Sequence, residues 1–261
     1  MTTKKYTVIT GASSGIGYAA AKAFAQRNKN LILIARRIDK LRQLKTEIQA
    51  ENSEIDIQLY ATDLSVTKNI YQLFEDVSAY EIDTWINNAG FGMYGELAEN
   101  EPAMIEAMLH LNIEALTLLS TLFVKKYHSS PEAQLINVSS AGGYTIVPTA
   151  IVYCATKFFV NAFTEGLAEE LKNSGAELQA KVLAPAATKT EFGKVANQVD
   201  SYDYDQAFSR YHTSDEMAQF LLQLYDSREV VGYINRDSFT FEMSQGRLPS
   251  AAGSGNNQKF K

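Results

Sequence analysis

Lys5-Tyr6-Thr7-Val8-Ile9-Thr10-Gly11-Ala12-Ser13-Ser14-Gly15-Ile16-Gly17-Tyr18 runs from a short β-branched stretch straight into closely spaced glycines and then into the alanine-rich Tyr18–Gln26. The first six residues read as a strand, the glycines as a tight turn, and the segment behind them as a helix. Strand, glycine turn and helix in that order is how an open α/β sheet sets backbone N–H groups and a helix N-terminus against a pyrophosphate. The spacing here is G-x-x-x-G-x-G rather than G-x-G-x-x-G. Taken alone, such a loop is equally compatible with a tight turn that binds nothing.

The same alternation continues outward. Leu31–Ala35 is a continuous apolar run of the kind a strand covered on both faces shows, and Ile38–Glu51 follows as an amphipathic helix. Further strands are expected at Asp56–Ala61, Asp83–Asn87, Leu135–Val138, Ala180–Leu183 and, last, Val230–Ile234. Helices are expected at Val66–Tyr80, Glu101–Lys126, Val152–Leu171 and Glu216–Tyr225, the last opened by a Thr213-x-x-Glu216 capping box. Strands and helices in turn predict a single-domain α/β fold of Rossmann type, a doubly wound parallel sheet in a three-layer αβα sandwich. At 261 residues the chain fits one such domain. It is placed at residues 1–249, with the Gly-, Ser- and Asn-rich residues 250–261 as a flexible tail.

Two features carry chemistry beyond the glycine loop. Ala35-Arg36-Arg37 stands at the end of the second strand, where an Asp or Glu would hold the ribose 2′-hydroxyl of NAD. With no carboxylate to repel a 2′-phosphate and two guanidiniums to grip it, NADP(H) is predicted over NAD(H); the alternative is a solvated strand end. Tyr153 and Lys157, four positions apart, share one helical face. An ammonium one turn away favours the phenolate, so the tyrosine is expected to be tuned towards exchanging a proton with an alcohol or a carbonyl.

Thr10-Gly11-Ala12-Ser13-Ser14-Gly15-Ile16-Gly17, Asn87-Asn88-Ala89-Gly90 and Tyr153-x-x-x-Lys157, in this order, resemble the classical short-chain dehydrogenase/reductase family over nearly the whole chain. The resemblance implies hydride transfer between a nicotinamide cofactor and a small-molecule carbonyl or alcohol. It implies Asn112, Ser140, Tyr153 and Lys157 as catalytic residues, with Ser140 selected over Ser139 by standing 13 positions before the tyrosine. Asn112, an asparagine inside an apolar helical stretch, would distort its helix so that a water links Lys157 to solvent. The cofactor would be held by Gly11, Ser13, Ser14, Gly15, Ile16 and Gly17, by Arg36 and Arg37, and by Asn88, Ala89 and Gly90. Asp63 and Leu64 would meet the adenine ring, although Asp63 reads equally well as a helix N-terminal residue. Pro185, Thr188 and Thr190, with Tyr153 and Lys157, complete the set. Ala186 stands where the family has glycine, and an alanine tolerates positive φ poorly, so this loop is expected to differ in geometry.

Glu191–Tyr211 has no clear period and carries Phe192, Tyr202, Tyr204, Phe208 and Tyr211 among acidic residues. It reads as a substrate lid whose aromatics wall an apolar pocket, or else as a surface loop whose aromatics pack down. A net charge of −6 without a basic cluster argues against nucleic acid as a partner. No apolar run appears long enough to span a membrane, and His110, His128 and His212 lie too far apart for a metal site. Cys154, the one cysteine, suits a reducing cytoplasm. The family resemblance further implies a homodimer or homotetramer. Two other functions compete: an NADP-binding sensor without turnover, which would not need all four catalytic residues, and a sugar-nucleotide epimerase or dehydratase, whose glycine spacing differs and whose larger C-terminal domain has no room here.

Overall fold

The computed structural model describes residues 4–251. The first half contains β1 (Lys5–Thr10), α1 (Gly15–Gln26), β2 (Asn30–Ala35), α2 (Ile38–Glu51), β3 (Ile57–Ala61), α3 (Thr67–Val77), β4 (Glu81–Asn87), α4 (Pro102–Leu109) and α5 (Leu116–Tyr127). The second half contains β5 (Gln134–Val138), α6 (Ile151–Asn173), β6 (Gln179–Ala184), β7 (Thr188–Lys189), α7 (Phe192–Ala196), α8 (Tyr204–Ala207), β8 (His212–Thr213), α9 (Ser214–Asp226), β9 (Val231–Ile234) and β10 (Phe241–Ser244).

The main sheet has the order β10-β9-β6-β5-β4-β1-β2-β3. Its neighbours are parallel throughout except for the antiparallel β9–β10 edge. Successive side chains on each central strand point to opposite faces, and both faces are covered. Ile9, Leu31 and Leu33 pack with Phe24, Leu41, Leu44 and Leu221 from α1, α2 and α9. Val8, Ile32 and Trp85 pack on the other side with Leu73, Leu119, Phe123 and Leu171 from α3, α5 and α6. Two-sided burial is why these strands read as unbroken apolar runs. Even Lys181 on β6 is buried, its ammonium donating to the carbonyls of Leu224, Tyr225 and Ser227 at 3.0, 3.0 and 2.7 Å. It thereby closes the C-terminus of α9, whose last carbonyls lack helical partners.

Three expectations need correction. Val231–Ile234 is not the last strand, because β10 adds an edge; four residues of alternation are too short to stand out in sequence. The lid is not devoid of regular structure. It contains α7 and α8, and the β7–β8 pair ties its two ends together. Helical structure runs without a break over Pro102–Tyr127, 26 residues of mean hydropathy 1.5 across its most apolar window, and this segment is long and apolar enough to cross a membrane by those measures alone. Here it flanks the sheet and buries Leu116, Leu119, Phe123 and Tyr127 against it. The capping box is present in full, with Thr213 and Glu216 exchanging side chain–backbone bonds. Most of the predicted tail, 252–261, lies outside the described residues, and Ser250 before it donates to Glu169 on α6.

Candidate active site

The strand order reverses between β1 and β4, and a crevice opens beyond the carboxyl ends of the strands there. Its floor is made by fastening the two loops to each other. The Thr10 hydroxyl accepts the N–H groups of Asn88 and Ala89, both at 3.0 Å, and the Asn88 amide donates to the carbonyls of Thr10 and Gly11 at 3.0 and 3.3 Å. The fit leaves no room for side chains. Gly11 has φ +69°, and a Cβ there would stand 2.8 Å from the Ala89 Cα. A Cβ on Gly17 would stand 2.4 Å from the Asn88 Nδ2 and 2.5 Å from the Gly11 carbonyl oxygen. Ser14, the N-cap of α1, makes no side-chain capping bond, and no acidic residue occupies the helix's first turn.

Across the crevice, α6 presents Tyr153 and Lys157 from one face, both buried. The loop after β5 separates its two serines. Ser139 donates its hydroxyl to the Lys157 carbonyl at 3.0 Å, whereas the Ser140 hydroxyl accepts the Gly142 N–H at 3.0 Å and acts on the Tyr153 phenol. Ser140, the serine that its spacing to Tyr153 picks out, is thus the one whose hydroxyl is not tied to the Lys157 carbonyl. Burial pushes the Tyr153 phenol well above its ordinary value, the Ser140 hydroxyl pulls it back in part, and Tyr94 and Cys154 add to the rise. Burial pushes Lys157 down to about 8. Its ammonium donates to the Val138 carbonyl at 3.0 Å and lies 5.8 Å from the centre of the Tyr153 ring. The downward tuning of Tyr153 expected from Lys157 is not seen: desolvation sets the direction of the shift, and Lys157 is not among its causes.

Asn112 sits at the centre of a π-helical segment, His110–Ala115, between α4 and α5. The distortion expected of this helix is present, and such bulges collect at functional sites. The Asn112 side chain accepts the Phe91 N–H at 3.1 Å and donates to the Phe91 carbonyl at 2.9 Å and the Thr156 hydroxyl at 3.1 Å. Thr156 donates in turn to the Tyr153 carbonyl at 2.7 Å. Asn112 therefore ties the loop after β4 to the helix that carries Tyr153.

The crevice encloses about 1160 Å³. Every sequence-predicted catalytic or cofactor residue lines it except Gly17 and Asn112, which stand behind its wall. Asp63 does not begin a helix. Its carboxylate accepts the N–H and hydroxyl of Ser65, at 3.0 and 2.7 Å, ahead of α3. Burial would raise its pKa, but the Ser65 bonds and the charge of Arg36 together lower it. Ala186 is not strained, since the non-glycine residues with positive φ are Asn28, Glu132, Gln198 and Phe239 among those described. The expected difference in this loop therefore does not come from a left-handed alanine.

The family model described as short chain dehydrogenase matches residues 5–200. The chain belongs to the short-chain dehydrogenase family, a family of oxidoreductases. Among its relatives, the chicken (Gallus gallus) dehydrogenase/reductase SDR family member 11 is 29% identical over 217 residues, covering 81% of this chain and 84% of the relative. A short-chain dehydrogenase from Sphingobium yanoikuyae, solved in complex with NADPH, superposes with a TM-score of 0.81 at 29% identity, over 89% of both chains. A bulky-bulky ketone specific alcohol dehydrogenase from Comamonas testosteroni gives 0.76 at 25% identity, over 89% of this chain and 86% of that one.

A nicotinamide dinucleotide fits the residues of this short-chain dehydrogenase. Backbone crowds the glycine loop from behind while the α1 N-terminus is left uncapped by any side chain, which suits a pyrophosphate. Arg36, Arg37 and Asp63 line the end where an adenosine ribose would lie. The substrate end is walled by Phe91, Tyr94, Val147, Phe192, Tyr202 and Phe208. Phe91 and Tyr94 were not singled out from the sequence, yet a signal existed: they follow Asn-Asn-Ala-Gly at a strand's carboxyl end, where ligands gather. Of the lid aromatics, Phe192 lies against Tyr153, with ring centres 5.2 Å apart.

Proposed function

We propose that the protein is an NADP(H)-dependent oxidoreductase that interconverts a carbonyl compound and its alcohol, with Tyr153 as general acid and base. The observation that carries this reading is that Ser140, Tyr153 and the buried Lys157 all line one cleft, with Tyr153 and Lys157 on a single face of α6. When bound, the nicotinamide cofactor supplies or takes up the hydride. In the reductive direction the Ser140 and Tyr153 hydroxyls hold the substrate oxygen, and the Tyr153 Oη gives it a proton. Ser140 stabilises the charge that develops on that oxygen. Lys157 is placed to meet the cofactor's ribose, and Asn112 fixes the Phe91 loop and α6 relative to each other. A phenol pushed up by burial stays protonated at neutral pH, as an acid for reduction must. The aromatic wall suits an apolar substrate.

The NADP(H) preference is supported by Arg36 and Arg37 at the ribose end and by the NADPH complex of the Sphingobium relative. The reading carries with it a homodimer or homotetramer, a small-molecule substrate without nucleic acid or membrane as partner, and a cytoplasmic setting that buried, unpaired Cys154 suits. The test is cofactor oxidation against a panel of aldehydes, ketones, α-dicarbonyls and 3-oxo acids, with NADPH and NADH in parallel. Turnover is expected with NADPH on an apolar ketone, with a lower KM for NADPH than for NADH; a clear preference for NADH would remove the NADP(H) assignment.

The pH profile gives a separate test. The Lys157 pKa lies at about 8, below that of a free lysine, so its charge is present below that pH and lost above it. Because kcat/KM reports the groups of the free protein, kcat/KM for NADPH should fall as pH rises through about 8. Tyr153, shifted upward, keeps its proton across that range and adds no second fall. A profile flat from neutrality to pH ~10, the ordinary lysine range, would mean that Lys157 is not lowered by burial or that its charge is not required.

A further inference from the structure

The first residue of the lid carries a charge that an aromatic lid does not call for. Glu191 reaches back to the glycine loop, where its carboxylate accepts the Arg37 guanidinium N–H at 2.8 Å. The same guanidinium donates to the Ser13 hydroxyl at 3.1 and 3.3 Å. The Arg37 bond, partly offset by burial and helped by Ser14, holds the Glu191 carboxyl below its ordinary value. The pair is open to solvent, with side-chain exposures of 45% for Arg37 and 50% for Glu191. An ion pair this exposed is weak and exchanges readily.

We propose that Glu191 is a built-in competitor for the cofactor's 2′-phosphate: it occupies Arg37, itself anchored on Ser13 of the glycine loop, until the phosphate exchanges with it, and so sets how strongly the phosphorylated cofactor is preferred. The proposal rests on the NADP(H) reading. A phosphate brings more charge and more acceptor oxygens to Arg37 than a single carboxylate does, so it wins the exchange. A dinucleotide with a free 2′-hydroxyl offers the guanidinium no anion and leaves the Arg37–Glu191 pair standing.

Glu191→Gln keeps the side chain's shape and removes its charge. Calorimetric titration of wild type and variant with adenosine 2′,5′-bisphosphate and with adenosine 5′-monophosphate isolates the 2′-phosphate, because the two probes differ only there. The variant should bind the bisphosphate about three- to fivefold more tightly, the range an exposed ion pair allows, and the monophosphate as wild type does. Unchanged or weaker binding of the bisphosphate overturns the proposal. So does an equal gain for both nucleotides, which would mean general repulsion of the phosphate chain. The cofactor reading fails separately, if wild type binds the two probes equally; the gain of variant over wild type still decides the exchange in that case.

Discussion

Tyr153→Phe should bind NADPH as wild type does and turn over about 10²–10⁴ times more slowly, the range a positioned proton donor contributes. The substitution removes one oxygen and leaves the ring, so the packing of Tyr153 with Met93, Met108, Ala150 and Cys154 survives. The contact with Phe192, at 5.2 Å between ring centres, survives as well. What goes is the proton donor, while Ser140 keeps the Gly142 N–H at 3.0 Å. An apolar ring in this buried place strands no partner, so folding should be unimpaired. The measurement is single-turnover reduction of whichever ketone the panel identifies, beside a fluorescence titration with NADPH. Loss of turnover with intact binding assigns Tyr153 to the chemical step. Turnover within a few-fold of wild type would remove Tyr153 from the mechanism and leave Ser140 and Lys157 without a proton to organise.

The depth of the fold legible in sequence depended on how local each determinant is. Ile38–Glu51 forms the predicted helix residue for residue, and the central strands match to within a residue or two, because two-sided burial writes an apolar run into the strand itself. Tyr153 and Lys157 fall on one face because four residues are about one helical turn. Determinants that join distant segments left no such trace. Arg37 and Glu191 stand 154 residues apart in the chain, and neither neighbourhood hints at the other. The Lys157 ammonium is directed by the Val138 carbonyl, and no spacing rule anticipates that contact or the burial that raises Tyr153. Only family resemblance implied a distorted helix at Asn112, and nothing in the sequence specified its π-helical form, since one extra residue in a helical turn does not alter composition. Ala186 shows the opposite error: a departure from the family's motif read as a disturbance, where the backbone has no left-handed φ to accommodate.

Gly17→Ala should be damaging although alanine is the better helix former. A Cβ at this position would lie 2.4 Å from the Asn88 Nδ2, 2.5 Å from the Gly11 carbonyl oxygen and 3.0 Å from the Gly11 carbonyl carbon. Asn88 cannot simply turn away, because its amide joins the β4 loop to β1 through the carbonyls of Thr10 and Gly11. The methyl must therefore displace backbone, and displacing packed backbone costs about 1–3 kcal/mol. The helix-propensity gain from glycine to alanine is about 1 kcal/mol and does not reliably offset this. In a protein of this size each kcal/mol moves Tm by roughly 2–4 °C, so thermal unfolding should fall by a few degrees. NADPH affinity should fall further, by about tenfold or more, since 1.4 kcal/mol of lost contact at the loop is already a factor of ten. Gly166→Ala on α6 is the control, because a Cβ there meets nothing within 4 Å. It should raise Tm slightly and leave NADPH binding alone. If Gly17→Ala bound NADPH like wild type and unfolded at the same temperature, the close seating of the glycine loop on Asn88 could not be what shapes the cofactor site.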